Sequence, residues 1–272
     1  MNVVEAVTRA ANRLSSISDS PRLDAELLMA HALGIGRDRL LLDPPACEAP
    51  AAFTAMVERR MSHEPVAYIV GHREFWTIDL QVGPGVLIPR PDSETLIEAA
   101  IGHFGTRAPR RILDLGVGSG ALLLAALAQW PEASGLGVDM SDAALAIAGA
   151  NARRLGMAGR ARIERGSWDA ASTGDFDLIL CNPPYVETGA ALPPDVADYE
   201  PASALYAGED GLDEYRRIAP LLRLPAGGVG CIEIGATQAD AVRGLFDAQG
   251  LVTRVKTDLA ERDRCVIVAP LS

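Results

Sequence analysis

Arg111-Ile112-Leu113-Asp114-Leu115-Gly116-Val117-Gly118-Ser119-Gly120-Ala121-Leu122-Leu123-Leu124 runs from an apolar strand through a glycine loop into a strong helix former. Glycines between a strand and a helix N-terminus let a ligand approach the backbone closely, and the exposed N–H groups there favour negative charge. Outward from this junction, strands and helices alternate. The pattern predicts strands at 111–115, 134–139, 161–165, 176–181, 229–234, 251–257 and 264–269, with helices at 121–129, 141–155, 213–223 and 238–249. Alternation of this kind is a doubly wound α/β sheet, with its ligands at the carboxyl ends of the strands. The last two strands are separated only by residues 258–263, too few for a crossover helix, so they are expected to pair antiparallel.

The chain before this core divides in two. Residues 1–65 read as short helices: Asn2 to Leu14, a second opened by Ser20 as N-cap and Pro21 and stopped at Gly34, one turn at 38–42, and a helix at 51–63. Residues 66–90 read as a β-hairpin linker, with Tyr68-Ile69-Val70 and Phe75 to Val82 as its strands. The expected division is therefore 1–65, 66–90 and 91–272.

Two further features sit at strand ends. Asp139 closes Gly135-Leu136-Gly137-Val138, nineteen residues beyond Gly120, a position suited to holding a ribose diol. With Ala121 in the last slot the loop also satisfies G-x-G-x-x-G/A, so by itself it fits a nicotinamide enzyme almost as well as an adenosyl-binding one. Asp114 weighs against a pyrophosphate, because a carboxylate at that point repels it and welcomes an ammonium or a sulfonium. At the end of Phe176–Cys181 stands Asn182-Pro183-Pro184-Tyr185. Neither proline has an N–H to continue the ladder. What remains is an amide oxygen, a carbonyl on a rigid kink and a flat phenol. That set suits a planar conjugated –NH2: Asn182 and Pro183 accept its two N–H bonds and Tyr185 stacks on its plane. Such a nitrogen is a poor nucleophile, so holding it in line with an electrophile is the main help available.

Composition excludes several classes. Net charge is −11 and Lys256 is the one lysine among 25 basic residues, whereas a protein that grips a phosphate backbone carries a basic face. Between Val186 and Tyr215 there are eight acidic residues and no Lys or Arg, a rim expected to repel nucleic acid and attract a basic protein loop. No apolar run approaches the roughly 18 residues of a membrane span, and the first residues lack a signal peptide's pattern. Cys47, Cys181, Cys231 and Cys265 are scattered, three of them in apolar runs, as expected for reduced thiols in a cytoplasmic protein. His31, His63, His72 and His103 show no ligand spacing, so no metal is expected.

The combination of Asp114–Gly120, Asp139 and Asn182–Tyr185 resembles class I S-adenosylmethionine-dependent methyltransferases that modify a conjugated NH2. Within them the chain is similar to the HemK/PrmC family, the release-factor glutamine methyltransferases. The likeness extends through Gly71-His72-Arg73-Glu74-Phe75-Trp76, Val86 to Glu94, Ser167-Trp168-Asp169, Glu200-Pro201 and Asp210 to Tyr215, covering most of residues 65–270. Val117 stands where a hydroxyl residue is common, and Ala207-Gly208 where Gly-Gly is usual. The resemblance implies S-adenosylmethionine held by Asp114, Gly116, Val117, Gly118, Ser119, Gly120, Asp139, Trp168, Asp169 and Asn182, with Trp168 and Asp169 on the adenine side. A core role for Trp168 stays open. It implies Asn182, Pro183, Pro184 and Tyr185 around a glutamine amide, a release factor as protein substrate, and a helical domain at 1–65 that recognises it. A monomer without direct nucleic-acid contact is expected. Glutamine methylation of a ribosomal protein and adenine methylation of DNA are the alternatives that the acceptor motif leaves open.

Overall fold

The computed structural model describes residues 1–271, which fall into two compact units. The first comprises residues 1–72 together with 192–199. Its helices are α1 (Val3–Leu14), α2 (Pro21–Leu33), α3 (Arg37–Leu42), α4 (Ala51–Met61) and α5 (Val66–Val70). Asn2 caps α1 through a reciprocal box: its Oδ1 accepts from the Glu5 N–H at 2.9 Å, and Glu5 reaches back to the Asn2 N–H. Ser20 occupies the N-cap of α2 but makes no cap bond; its hydroxyl turns instead to Asp24 at 3.4 Å. The buried faces meet in one apolar cluster that includes Val7, Leu14, Leu28, Met29, Phe53, Val57 and Ile69.

The expected strand at Tyr68-Ile69-Val70 is helical. An apolar triplet reads alike in either state, and here tertiary burial of Tyr68 and Ile69 decides it. The Pro65 carbonyl accepts from both the Tyr68 and Ile69 N–H groups, and Gly71, at φ +80°, ends the turn. The hairpin is correspondingly displaced: β1 (His72–Phe75) and β2 (Ile78–Gln81) pair around Trp76, which sits at φ +55°. Phe75 to Val82 is therefore a turn and a strand rather than one strand.

The second unit comprises residues 73–191 and 200–271 of the described chain. It contains α6 (Glu94–Phe104), β3 (Arg111–Leu115), α7 (Ala121–Gln129), β4 (Ser134–Asp139), α8 (Asp142–Arg154), β5 (Ala161–Arg165) and β6 (Leu178–Cys181). After α9 (Pro194–Ala197), which packs with the first unit, follow α10 (Asp213–Ile218), β7 (Val229–Glu233), α11 (Ala239–Asp247), β8 (Leu251–Thr257) and β9 (Asp263–Pro270). The seven-stranded sheet has the order β5-β4-β3-β6-β7-β9-β8. All pairs are parallel except those made by β9, which runs antiparallel to β7 and β8, as its short connection requires.

Period-2 alternation sends each strand's residues to opposite faces. Ile112, Leu178 and Leu180 join a core with Phe75, Leu96, Leu123 and Ala148; Leu113, Ile179 and Cys181 join another with Tyr215, Ile218, Val242 and Phe246. Successive strands are added to one side of β3 as far as β5 and to its other side from β6 onward. Pairings Leu115–Val138, Leu115–Cys181 and Cys181–Ile232 bring the carboxyl ends of the parallel strands β4, β3, β6 and β7 to one rim. A crevice at this switch point is where an open α/β sheet binds its ligands.

Candidate active site

A cavity of about 390 Å³ opens at that rim. One side is the glycine loop. Gly116 and Gly118 lie at φ +72° and +53°, a region that costs an L side chain about 1–2 kcal/mol. The carboxylate of Asp139, at the end of β4, pins the loop by accepting from the Gly118 N–H at 3.0 Å and the Ser141 N–H at 2.9 Å. Ionised oxygens have lone pairs left over for hydroxyl donors. Asp114 is 1 % exposed; its Oδ2 accepts from the Leu123 N–H in the first turn of α7 at 3.0 Å, while its Oδ1 is buried without a partner. Burial pushes its pKa up to about 8, opposed by the Leu123 N–H and reinforced by Asp139. An orphaned carboxylate oxygen in an apolar wall is a place for a cation.

The other side is the end of β6. Asn182 donates from Nδ2 to the Ser93 hydroxyl at 3.3 Å, which leaves its Oδ1 with no hydrogen bond among the described residues. Neither does any donor among them reach the Pro183 carbonyl. The backbone beyond is fixed: the Tyr185 carbonyl accepts from Gln238 Nε2 at 3.0 Å, and Val186 pairs with Leu205 and Ala207. Tyr185 does not stand over the cavity. It points inward, is mostly buried, and donates its hydroxyl to Glu233 Oε1 at 3.2 Å; burial and then Glu233 raise its pKa.

Of the residues singled out in the sequence, Asp114, Gly116, Val117, Gly118, Ser119, Asp139, Trp168, Asn182 and Pro184 line the cavity. Gly120, Asp169, Pro183 and Tyr185 are not in its wall. Gly120 shapes the turn into α7, at φ +88°; Asp169 is exposed on the short helical turn Trp168–Thr173. Trp168 serves wall and core together: it faces the cavity, packs on the second apolar cluster and donates its indole N–H to Glu214 at 2.5 Å. That N–H is thereby committed within the protein.

Sequence reasoning missed Ser93 and Glu233. Both are buried, and each touches the acceptor motif from far along the chain. A lone glutamate closing the apolar strand Val229–Glu233, on the same rim as Asp114 and Asp139, was the available signal. In the sequence Glu200 stands out only as part of the run Glu200-Pro201. It is buried and anchors the segment before α6, accepting from the Ile88 N–H at 3.0 Å and from Arg90. The acidic rim is also less open than its composition implied. Asp195 pairs with Arg60, Glu200 with Arg90, Asp210 and Asp213 with Arg216, and Glu214 with Arg217.

The doubly wound sheet with its antiparallel closing strand, the glycine loop and the acceptor-bearing strand end define a class I S-adenosylmethionine-dependent methyltransferase. Residues 5–71 match the family described as the PrmC N-terminal domain, and residues 93–198 match the methyltransferase small domain. The release factor glutamine methyltransferase of Rhodospirillum rubrum is 45 % identical over 258 residues, covering 92 % of this chain and 79 % of that one. That of Caulobacter vibrioides is 42 % identical over 278 residues, covering 98 % and 96 %. The chain belongs to the release factor glutamine methyltransferase family. In structure it is similar to a methyltransferase from Pyrococcus furiosus, with a TM-score of 0.52 over 71 % of this chain and 88 % of that one; at 14 % identity the likeness is one of fold. No helix among the described residues is long and apolar enough to cross a membrane, and no group of three His, Cys, Asp or Glu among them is placed to hold a metal ion.

Proposed function

We propose that this chain transfers a methyl group from S-adenosylmethionine to the side-chain amide nitrogen of a glutamine, and that its substrates are peptide chain release factors, methylated on the glutamine of their Gly-Gly-Gln loop. The observation that carries the chemistry is the pair of acceptors without hydrogen-bond partners at the end of β6, Asn182 Oδ1 and the Pro183 carbonyl. A primary amide offers two N–H donors in one plane, and two acceptors on a rigid backbone take them together. Relatives named for this reaction support the protein target.

The cofactor suits the opposite wall. Asp114 offers a buried carboxyl whose partnerless Oδ1 would be drawn into its ionised form by a bound cationic group. Gly116 to Ser119 offer close backbone approach, and Asp139 retains acceptor capacity for ribose hydroxyls. When bound, S-adenosylmethionine supplies an electrophilic methyl group on a sulfonium. Asn182 and Pro183 hold the amide so that its nitrogen faces across the cleft, which removes most of the orientational cost of the reaction. Val86, Leu87, Val117 and Val138 keep the cavity wall apolar and exclude water. A methylated, N-protonated amide is a strong acid, so the proton leaves without a dedicated base.

The helical unit is assigned to recognition of the folded substrate, since a single amide plane gives the cleft little to grip. With five of the eight rim carboxylates paired to arginines, contact with that partner rests on shape more than on charge. A cytoplasmic monomer that does not bind nucleic acid completes the reading. The test offers isotope-labelled S-adenosylmethionine to purified release factors, ribosomal proteins and duplex DNA side by side. Label is expected on one release-factor glutamine. Label on DNA adenine, with none on any glutamine, overturns the assignment.

A further inference from the structure

Asn182 works only one way round. Its Oδ1 must face the acceptor amide, yet rotating the side chain by half a turn would present Nδ2, a donor, to another donor. The amide itself has no preference between the two. Something around it must fix the choice.

The structure supplies a chain of polar groups behind it. Nδ2 of Asn182 lies 3.3 Å from the Ser93 hydroxyl, which opens α6 and is 3 % exposed. Ser93 lies close enough to the carboxylate of Glu233 to oppose the rise in its pKa, although no hydrogen bond between them is completed, and Tyr185 donates to the same carboxylate at 3.2 Å. Glu233 is 1 % exposed, and its Oε2 is buried without a completed hydrogen bond, a position that draws in any donor within reach. The neighbouring backbone is held as well, since the Tyr215 hydroxyl donates to the Glu233 carbonyl at 2.8 Å.

We propose that Glu233 is a positioning residue for methyl transfer: through Ser93 it fixes the orientation of the Asn182 amide, and through Tyr185 it anchors the strand end that carries it. Hydrogen-bond direction carries the effect. An ionised carboxylate accepts only, so a hydrogen bond closed between Ser93 and the unpartnered Glu233 Oε2 has Ser93 as its donor. The Ser93 oxygen is then left to accept, and it accepts from Asn182 Nδ2. Oδ1 therefore faces the cleft. A neutral side chain at 233 with a proton to give would let the chain run backwards, with Ser93 donating to Oδ1 and Nδ2 turned to the substrate. This inference rests on the glutamine-methylating role given above, and it concerns a group that does not touch the substrate.

The surroundings make Glu233 sensitive to pH in the ordinary range. Burial pushes its pKa up to about 7, opposed by Ser93, by Arg264 on β9 and by the Tyr185 hydroxyl, and assisted by Asp92 ahead of α6. Cys181 on β6, Cys265 on β9 and Tyr215 on α10 also face it, with pKa values raised first by burial, so they stay neutral while Glu233 titrates.

The experiment measures kcat, KM for a release factor and cofactor affinity, against pH, for wild type, Glu233→Gln, Ser93→Ala and Ser93→Thr. Glu233→Gln keeps size and shape, and it is expected to lower kcat roughly 10- to 100-fold with cofactor affinity within about twofold, the scale of misplacing a reacting group. Ser93→Ala should do the same, and Ser93→Thr, which keeps the hydroxyl, should recover most of the loss. Wild-type kcat should rise with pH through about 7, and that step should vanish in Glu233→Gln. A purely structural Glu233 would lower melting temperature and leave the pH step in place. Folded Glu233→Gln with wild-type kcat and pH profile overturns the proposal, as does Ser93→Thr performing no better than a folded Ser93→Ala. Wild-type enzyme that labels no glutamine overturns the functional reading instead, and this inference with it.

Discussion

The two walls of the cleft are made rigid by different means. Around the glycine loop the backbone does the holding: positive-φ glycines set the path, and Asp139 and Asp114 accept from N–H groups of Gly118, Ser141 and Leu123. Around Asn182 side chains do it, with Ser93, Tyr185, Glu233 and Gln238 linking the end of β6 to α6, β7 and the start of α11. A backbone cradle follows from local sequence and suits a ligand bound by every relative of the fold. A side-chain network has partners distant in sequence, and it suits an acceptor whose chemistry is particular. Substitutions on the acceptor wall should accordingly cost turnover, and those on the loop wall affinity or stability.

The largest effect is expected at Asn182. Asn182→Ala should cut turnover by about 10²–10³, the usual loss for one positioned hydrogen-bonding group, while cofactor affinity stays within a few-fold. Single-turnover kinetics alongside calorimetry separate the two. A wild-type rate would remove Asn182 from the acceptor wall and erase the contrast.

Next comes Asp114, which tests the loop wall through protonation. Its pKa in the folded protein, about 8, lies above the ordinary 3.8, so the folded state keeps a proton that the unfolded chain releases. Stability from this group is therefore complete below pH 4 and falls as pH rises to about 8. Asp114→Asn escapes that loss. Its advantage over wild type should be absent at low pH, pass through about 3 kcal/mol near pH 6 and go on growing towards pH 8, read from denaturant unfolding at several pH values. The same variant should bind S-adenosylmethionine less well, because asparagine cannot ionise opposite a bound cation. An advantage independent of pH would show that Asp114 is ionised in the folded state.

Asp139 should matter somewhat less. Asp139→Ala removes the acceptor for Gly118 and Ser141 and a charge beside the cleft, and it should weaken cofactor binding by about 1–3 kcal/mol. Unchanged affinity in a folded variant would take Asp139 out of the site.

The same division explains what was legible in the sequence. Strand–glycine–helix spacing gave the sheet, its antiparallel closing pair and the loop wall, because those depend on residues adjacent in the chain. Asn182 was legible for the same reason. Ser93 and Glu233 were not, since Ser93 lies 89 residues before Asn182 and Glu233 lies 48 after Tyr185. Tyr185 looked like a lid because a phenol beside an amide acceptor suggests stacking, but a buried carboxylate draws its hydroxyl inward. Tyr68-Ile69-Val70 was misread as a strand because local pattern does not reveal which cluster an apolar triplet will join. The acidic rim misled in another way, since composition counts charges without showing the arginines that pair with them.

The smallest expected effect is the sharpest test of a backbone-built wall. Gly118 sits at φ +53°, and an added Cβ would find nothing closer than the Gly116 carbonyl oxygen at 3.9 Å. Space is therefore available, and only the backbone conformation objects. Gly118→Ala should destabilise the empty protein by about 1 kcal/mol, and Gly118→Asn by less, because asparagine tolerates the left-handed region. Gly137, on β4, provides the opposite case: its φ is ordinary, but a Cβ would lie 2.5 Å from Val117 Cγ2, so the strain there is one of packing. Asparagine should rescue position 118 relative to alanine and should not rescue position 137. Equal losses for Ala and Asn at 118 in thermal unfolding would mean that the loop is not held by its backbone conformation, and the contrast between the two walls would lose its physical basis.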